Sequence, residues 1–149
     1  MLVRQCAGGV VFYGEKVFLL QNDKGEWVLP KGVIRSGKIS NEVAVTRVRY
    51  EGGVDAKIIS SAGETSYEFF SYSRRSPVCN QINWFVMEAL RPEFSINRME
   101  GFQDGGFIPI KDALEKITYS QDRALVSYAY RKYQEYLDEI SQSEEVVGN

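Results

Sequence analysis

Apolar and polar residues along this chain follow two different periods. Val10-Val11-Phe12-Tyr13 and Lys16-Val17-Phe18-Leu19-Leu20 are β-branched and aromatic runs on either side of Gly14-Glu15. That arrangement predicts a tight β-hairpin. Residues 21–25 are polar and read as a loop, and Glu26-Trp27-Val28-Leu29 reads as a short strand stopped by Pro30, which lacks a backbone donor. Residues 33–39 contain Gly37 and read as a second loop. Ser40 is the expected cap of a helix running to about Glu51 and closed by Gly52-Gly53. Three segments, 54–60, 66–73 and 81–90, read as strands, the last two joined by a loop holding Arg74, Arg75 and Pro77. Residues 101–106 read as loop, Phe107-Ile108 as the start of an extended piece, and 111–117 as a short helix. In the final helix, expected over 120–140, Leu125, Ala129, Tyr133, Tyr136 and Leu137 recur at helical spacing and predict one buried stripe. Residues 141–149 are polar and acidic and read as a frayed tail. The pattern predicts one α/β domain of the α+β type over residues 1–140, a mostly stranded core with helices packed on it.

Composition narrows the chemistry more than the fold. At 149 residues, 44% hydrophobic and 26% charged, the chain is long enough for one real core and too apolar for wholesale disorder. A net charge of −2 weighs against coating nucleic acid by bulk electrostatics, so a nucleic-acid partner is not expected. The chain has no histidine, which excludes Ser-His-Asp and Cys-His catalysis, His-ligated zinc and a histidine pH switch. Two cysteines, Cys6 and Cys79, are too few for a disulfide scaffold or a structural zinc site. Met1-Leu2-Val3-Arg4 opens no long apolar run, and no segment approaches the roughly 18–20 apolar residues of a membrane span. The expectation is a cytoplasmic protein with no membrane partner. Catalysis, if present, rests on carboxylates, Lys, Tyr, Cys or a metal held by oxygen.

The segment from Leu29 to Val54 is where those groups concentrate. It reads Leu-Pro-Lys-Gly, a loop ending in Gly37, then a helix closing on Arg47-Val48-Arg49-Tyr50-Glu51-Gly52-Gly53-Val54. This layout resembles the signature of the Nudix family: a glycine, five residues, a glutamate, seven residues, then Arg-Glu, an apolar residue, any residue, Glu-Glu, any residue, Gly and an apolar residue. Counted from Gly32, the frame fits without a gap, and Gly32, Val48, Glu51, Gly53 and Val54 match it. Ala7-Gly8-Gly9-Val10-Val11 resembles the family's first core strand. Trp27-Val28-Leu29-Pro30-Lys31-Gly32 resembles the entry segment of its diadenosine-polyphosphate and inositol-pyrophosphate branches. Phe107-Ile108-Pro109-Ile110 followed by Lys111-Asp112-Ala113-Leu114 resembles its late passage from strand to helix. The resemblance implies a Nudix fold, with a mixed sheet between helices.

Where the chain departs from the signature, it departs in charge. The four acidic positions of the frame are Lys38, Arg47, Tyr50 and Glu51 here, and the signature arginine is Thr46. On a helix, positions 47, 50 and 51 share a face, because they lie three and four residues apart. An intact signature thereby converges carboxylates on magnesium, which would polarise a diphosphate and activate water. Here the four positions carry +1 in place of −4. Glu42 lies about 900° of helical rotation from Glu51, on the opposite side, and does not restore the site.

Two uses of these residues follow. In one, Glu51 and Glu64 are catalytic and, with Glu100 or Asp104 from outside the signature, hold a weak magnesium. In the other, Lys31, Lys38, Arg47 and Tyr50 grip phosphate directly, and magnesium is absent; Arg forms a bidentate fork and Lys a point charge. Arg47 also stands four residues from Glu51, the spacing of a helical ion pair. Tyr50 is a candidate for a stacking or hydroxyl contact, or for filling the space the metals leave. Three readings stand open: a pyrophosphohydrolase of a nucleoside diphosphate derivative or dinucleoside polyphosphate with an incomplete metal site; a silent domain that senses a phosphorylated ligand; and a domain turned to RNA or protein binding. A homodimer is compatible with each, with Tyr128 and Tyr130 lying off the main stripe of the last helix.

Overall fold

Period-two alternation along β1 (Leu2–Tyr13) and β2 (Lys16–Gln21) divides the interior into two cores. The computed structural model describes residues 1–148, with side chains through 144. Val10, Phe12, Val17 and Leu19 face one side of the sheet, and Ala7, Val11, Phe18 and Leu20 face the other. On the first side they pack with Leu29, Ile82 and Trp84, with Ala113 of α2 (Ile110–Lys116), and with Leu125, Val126, Ala129 and Tyr133 of α3 (Ser120–Gly148). On the second side they pack with Ala44 and Val48 of α1 (Ser40–Gly52), and with Val54, Met87 and Ala89. The result is a mixed sheet between helices, as the resemblance implied.

The remaining strands are β3 (Trp27–Val28), β4 (Lys31–Val33), β5 (Ala56–Ser71), β6 (Ser76–Ala89) and β7 (Asp104–Pro109). The order is β3-β2-β1-β6-β5, with β4 also pairing β1 and β7 also pairing β2. β1 and β6 run parallel, from Leu2 opposite Val78 to Phe12 opposite Glu88, and every other pairing is antiparallel. No helix among the described residues is long and apolar enough to cross a membrane.

Several elements differ from the sequence reading. Residues 56–71 form one strand where two were expected, with register shifts between Ile58 and Ser60 and between Ser61 and Gly63. Gly63, at φ 99°, absorbs the irregularity. Lys31 and Gly32 enter a strand because Gly8 and Ala7 pair with them, and Asp104 begins β7 because Gln21 pairs with it. Pro77 lies inside β6, opposite Phe70. Ser40 is the first helical residue of α1; the cap position is Ile39, with no side-chain bond. At the other end Gly53 adopts the left-handed conformation, φ 64°, and its N–H donates to the Arg49 carbonyl at 2.8 Å. The last helix continues past Ile140 to Gly148, and Leu137 is exposed instead of joining the stripe. Residue 149 of the expected frayed tail, and the side chains of 145–148, lie outside the described residues.

Close packing at Gly8 fixes the indole of Trp84, which borders a cavity. A Cβ there would fall 2.5 Å from Cζ3 of Trp84 and 2.6 Å from the Pro30 carbonyl oxygen. Gly8→Ala is expected to destabilise the fold by about 1–3 kcal/mol through overpacking, read as a lower midpoint in urea denaturation; an unchanged midpoint would contradict this packing.

Candidate functional site

Glu51 sits at the centre of the site, with 6% of its surface exposed. Helix α1 delivers it to the sheet because Ala44, Val48 and Gly52 bury the same helical face. Both carboxylate oxygens are engaged. The Lys31 backbone N–H donates to Oε1 at 3.1 Å, and Nη2 of Arg47 donates to Oε2 at 2.8 Å. Burial pushes the Glu51 carboxyl above the usual carboxylate range, and the Arg47 charge partly opposes that rise.

Arg47 does more than pair with Glu51. Its Nε donates to the Lys31 carbonyl at 3.3 Å, and its guanidinium lies 4.8 Å from the centroid of the Tyr50 ring. Gly32 makes room for it: a Cβ there would fall 2.4 Å from Nε of Arg47. Tyr50 is half-exposed at the rim and donates its hydroxyl to Oε1 of Glu100 at 2.6 Å, which raises the phenol above its ordinary range. Glu100 reaches this position because residues 95–97 dock on the C-terminal end of α1. The Ser95 and Asn97 N–H groups donate to the carbonyls of Gly52 and Glu51, at 2.8 and 2.9 Å.

Beside these groups lies a cavity of about 670 Å³. Glu51, Glu100 and Phe102 line it, as do Lys31, Leu29, Thr65 and Trp84. Nε1 of Trp84 donates to Oγ1 of Thr65 at 2.7 Å, and Nζ of Lys31 lies 5.8 Å from the centroid of the Tyr67 ring. Farther along the wall are Glu26, Tyr67, Phe69, Tyr119 and Asp122. The Tyr119 hydroxyl donates to Glu26, which lowers the Glu26 carboxyl and pushes the phenol up to about 12. Burial raises the Asp122 carboxyl.

The structure brings some of the sequence-selected residues together and separates others. Lys31, Glu51 and Glu100 share the cavity, and Arg47 and Tyr50 are bonded to them at its edge. Lys38 is exposed in the turn before α1, its N–H donating to the Arg35 carbonyl. Glu64 is exposed on β5, and its neighbour Thr65 is the residue that lines the cavity. Successive strand residues alternate faces, which turns Glu64 away. Asp104 caps its own neighbour, accepting from the Gly105 N–H at 2.8 Å, and lines a separate cleft with Phe94, Phe107 and Lys116. Glu26, Thr65, Phe102, Tyr119 and Asp122 were not selected from sequence. Glu26 and Tyr119 are separated by 93 positions, and only the folded chain places them together.

These side chains do not fit magnesium. Among the described residues no group of three or more His, Cys, Asp or Glu is placed to hold a metal. Glu51, buried at the centre of the site, already spends both oxygens on a guanidinium and a backbone donor. A cation stands where octahedral oxygen ligation would need further carboxylates.

Comparison with known proteins fits this frame. A family model described as the NUDIX domain matches residues 3–129. The chain is 27% identical over 103 residues to a protein named "Putative mutator protein MutT4" from Mycobacterium tuberculosis (strain CDC 1551 / Oshkosh). That match covers 69% of this chain, which spans only 40% of the relative's length. The fold is similar to that of a C. elegans Ap4A hydrolase in a binary complex, with a TM-score of 0.67 at 17% identity, covering 91% of this chain and 98% of that one. It is also similar to E. coli dihydroneopterin triphosphate pyrophosphohydrolase, with a TM-score of 0.66 at 15% identity, covering 85% and 95%. With its sheet held between helices and a family model matched along most of its length, the chain belongs to the Nudix family.

Proposed function

We propose that this Nudix domain binds a nucleotide or another diphosphate-containing small molecule beside α1 without hydrolysing it. The observation that carries this reading is the Arg47–Glu51 pair at 2.8 Å. It puts an internal cation on the carboxylate that an intact signature offers to metal. Arg47 keeps donors beyond the one spent on Glu51, and its side chain is 29% exposed. Together with Lys31 it supplies positive charge for phosphate oxygens at the cavity edge. Aromatic walls at Trp84, Tyr67, Phe69 and Phe102 suit the apolar or heterocyclic part of such a ligand, and a volume of about 670 Å³ is ordinary for a small-molecule site. Lys38 is left out of this contact set because it lies in the exposed turn.

A second reading, a metal-dependent pyrophosphohydrolase of low activity, draws on one observation: Glu51 and Glu100 line the same cavity. It requires Arg47 to leave Glu51 and a ligand's phosphates to complete the metal's coordination. The hydrolase names of the similar proteins lend it weight by family alone.

Three measurements separate and test these readings. In calorimetry with a chelator present, a nucleoside diphosphate is expected to bind, and Arg47→Ala to weaken it about tenfold or more. A panel of nucleotides with magnesium is expected to release no phosphate above background; robust turnover that Glu51→Gln abolishes would establish the hydrolase instead. Restoring acid with Arg47→Glu and Tyr50→Glu is expected to create magnesium binding visible by calorimetry, and failure to do so would place the signature out of frame.

A further prediction follows from the raised Glu51 carboxyl. A group whose folded value lies above its unfolded value favours the fold fully below the unfolded value, and that contribution is lost as pH rises through the folded one. Removing Arg47 deletes the charge that opposes the rise, so the Glu51 carboxyl climbs further. Arg47→Ala is expected to cost about 1–3 kcal/mol at pH 7 and clearly less at pH 4.5, read by urea denaturation. Equal losses at both pH values would show that Arg47 contributes packing alone.

A further inference from the structure

Two exposed features at opposite ends of the molecule carry opposite charge. The first is the tip of the β5–β6 hairpin. Tyr72 is 86% exposed there and Phe70 52%, with the two rings edge-on at 5.4 Å. Arg74 and Arg75 follow, both exposed and neither in an ion pair among the described residues. Residues 69–87 contain no Asp or Glu, and these two arginines are their only charged side chains.

The second feature is the far end of α3. Every described residue from 137 to 144 is exposed, so this stretch of helix projects beyond the sheet. Leu137 and Ile140 are one turn apart, 39% and 36% exposed, and form a short apolar stripe. Beyond Lys132 the chain carries Glu135, Asp138, Glu139, Glu144 and Glu145 and no Lys or Arg. Acidic side chains near a helix C-terminus oppose its dipole, and nothing basic in its last turn offsets them. Two helical turns without tertiary packing gain little stability of their own. Cations and an apolar surface from another molecule would correct both defects.

The two features cannot meet within one chain. α3 starts beside the outer half of the hairpin, where Gln121 and Asp122 line the cavity with Tyr67 and Phe69. It then runs back along β5: Nζ of Lys132 donates to the Ser61 carbonyl at 2.7 Å, and Nζ of Lys57 lies 5.9 Å from the centroid of the Tyr136 ring. The hairpin tip and the projecting helix are therefore separated by the length of β5, which at about 3.3 Å per residue is roughly 50 Å. β5 is also the last strand of the sheet, so no strand of this chain lies beyond it.

We propose that a second copy of this chain covers both features, in a two-fold dimer in which each basic aromatic hairpin tip seats on the acidic projecting end of its partner's α3. A two-fold axis beside β5 sets the copies antiparallel, and that single operation brings both tips to both helices. The contact is then closed and self-limiting, where a one-sided contact of the same kind would propagate as a filament. Opposite charges provide orientation, and Phe70 and Tyr72 against Leu137 and Ile140 provide apolar burial. This inference is independent of the ligand-binding reading, since none of these residues lines the cavity.

The test is the solution mass of the full chain by sedimentation velocity and light scattering at about 10 µM and low salt. The expected result is twice the 17.0 kDa chain mass, with dissociation favoured as ionic strength rises. Arg74→Glu with Arg75→Glu, and separately Asp138→Lys with Glu139→Lys, are each expected to give monomers with unchanged far-ultraviolet circular dichroism. Mixing the two variants is expected to restore the dimer, because one contact is then reversed, the other is native, and both are complementary. A monomeric wild type at up to about 100 µM would overturn the proposal, as would a dimer that neither charge reversal affects. A monomer whose hairpin arginines bind a fluorescent single-stranded oligonucleotide would also overturn it and assign the tip to nucleic acid.

Discussion

A carboxylate buried as deeply as Glu51 needs partners, because an isolated charge in an apolar interior is too costly to keep. Here the partners are the Lys31 N–H and the Arg47 guanidinium. The first ties α1 to β4, and β4 is tied through its pairing to Gly8, Ala7 and Cys6 of β1. The second runs across the α-carbon of Gly32, where a side chain would collide with it. One helix, one short strand and the central strand are thus held in register around a single charge. The shape of the neighbouring cavity depends on that register, since Lys31 and Glu51 both line it.

The same interaction underlies the proposed function. In a signature rich in acid, the electrostatic need of the helix face is met by metal, and the metal brings water activation with it. In this chain the covalently attached Arg47 cation stands beside Glu51 instead, and under the proposed binding reading it supplies donors without an activated water. Tyr50 extends the substitution: its ring receives the guanidinium and its hydroxyl engages Glu100, so a second acid near the site is also committed. Binding and hydrolysis make different demands on a site. Donors at fixed positions suffice for the first, and the proposed reading asks only this of Arg47 and Lys31.

Charge is unevenly distributed over the whole molecule. A net charge of −2 averages an acid-free hairpin tip bearing two arginines with a helix whose charged residues beyond Lys132 are all acidic. It also averages Arg47 with the acids around the cavity. Each of these local imbalances has a structural consequence that the total conceals, because Coulomb interactions act over a few ångströms near a protein surface and are screened beyond about 8–10 Å.

Local patterns in the sequence determined a good part of this. Alternation along residues 10–13 and 16–20 assigned side chains to two faces, since a strand has no other way to present them. The four-residue spacing of Arg47 and Glu51 carried their pairing, and the fit of the Nudix frame at Gly32, Glu51 and Gly53 carried the fold. Other features depend on which distant segments meet. The parallel pairing of β1 with β6 stapled Leu2–Phe12 to Val78–Glu88, and no local signal specifies a parallel partner. Docking of residues 95–97 on the end of α1 placed Glu100 beside Tyr50. Strand alternation turned Glu64 away from the cavity while Thr65 faced it, and Asp104 went to another cleft because β7 pairs with β2. The sequence by itself determined which charges the signature helix carries; only the tertiary structure decided which acids stand beside them, because long-range pairing, not spacing along the chain, sets those distances.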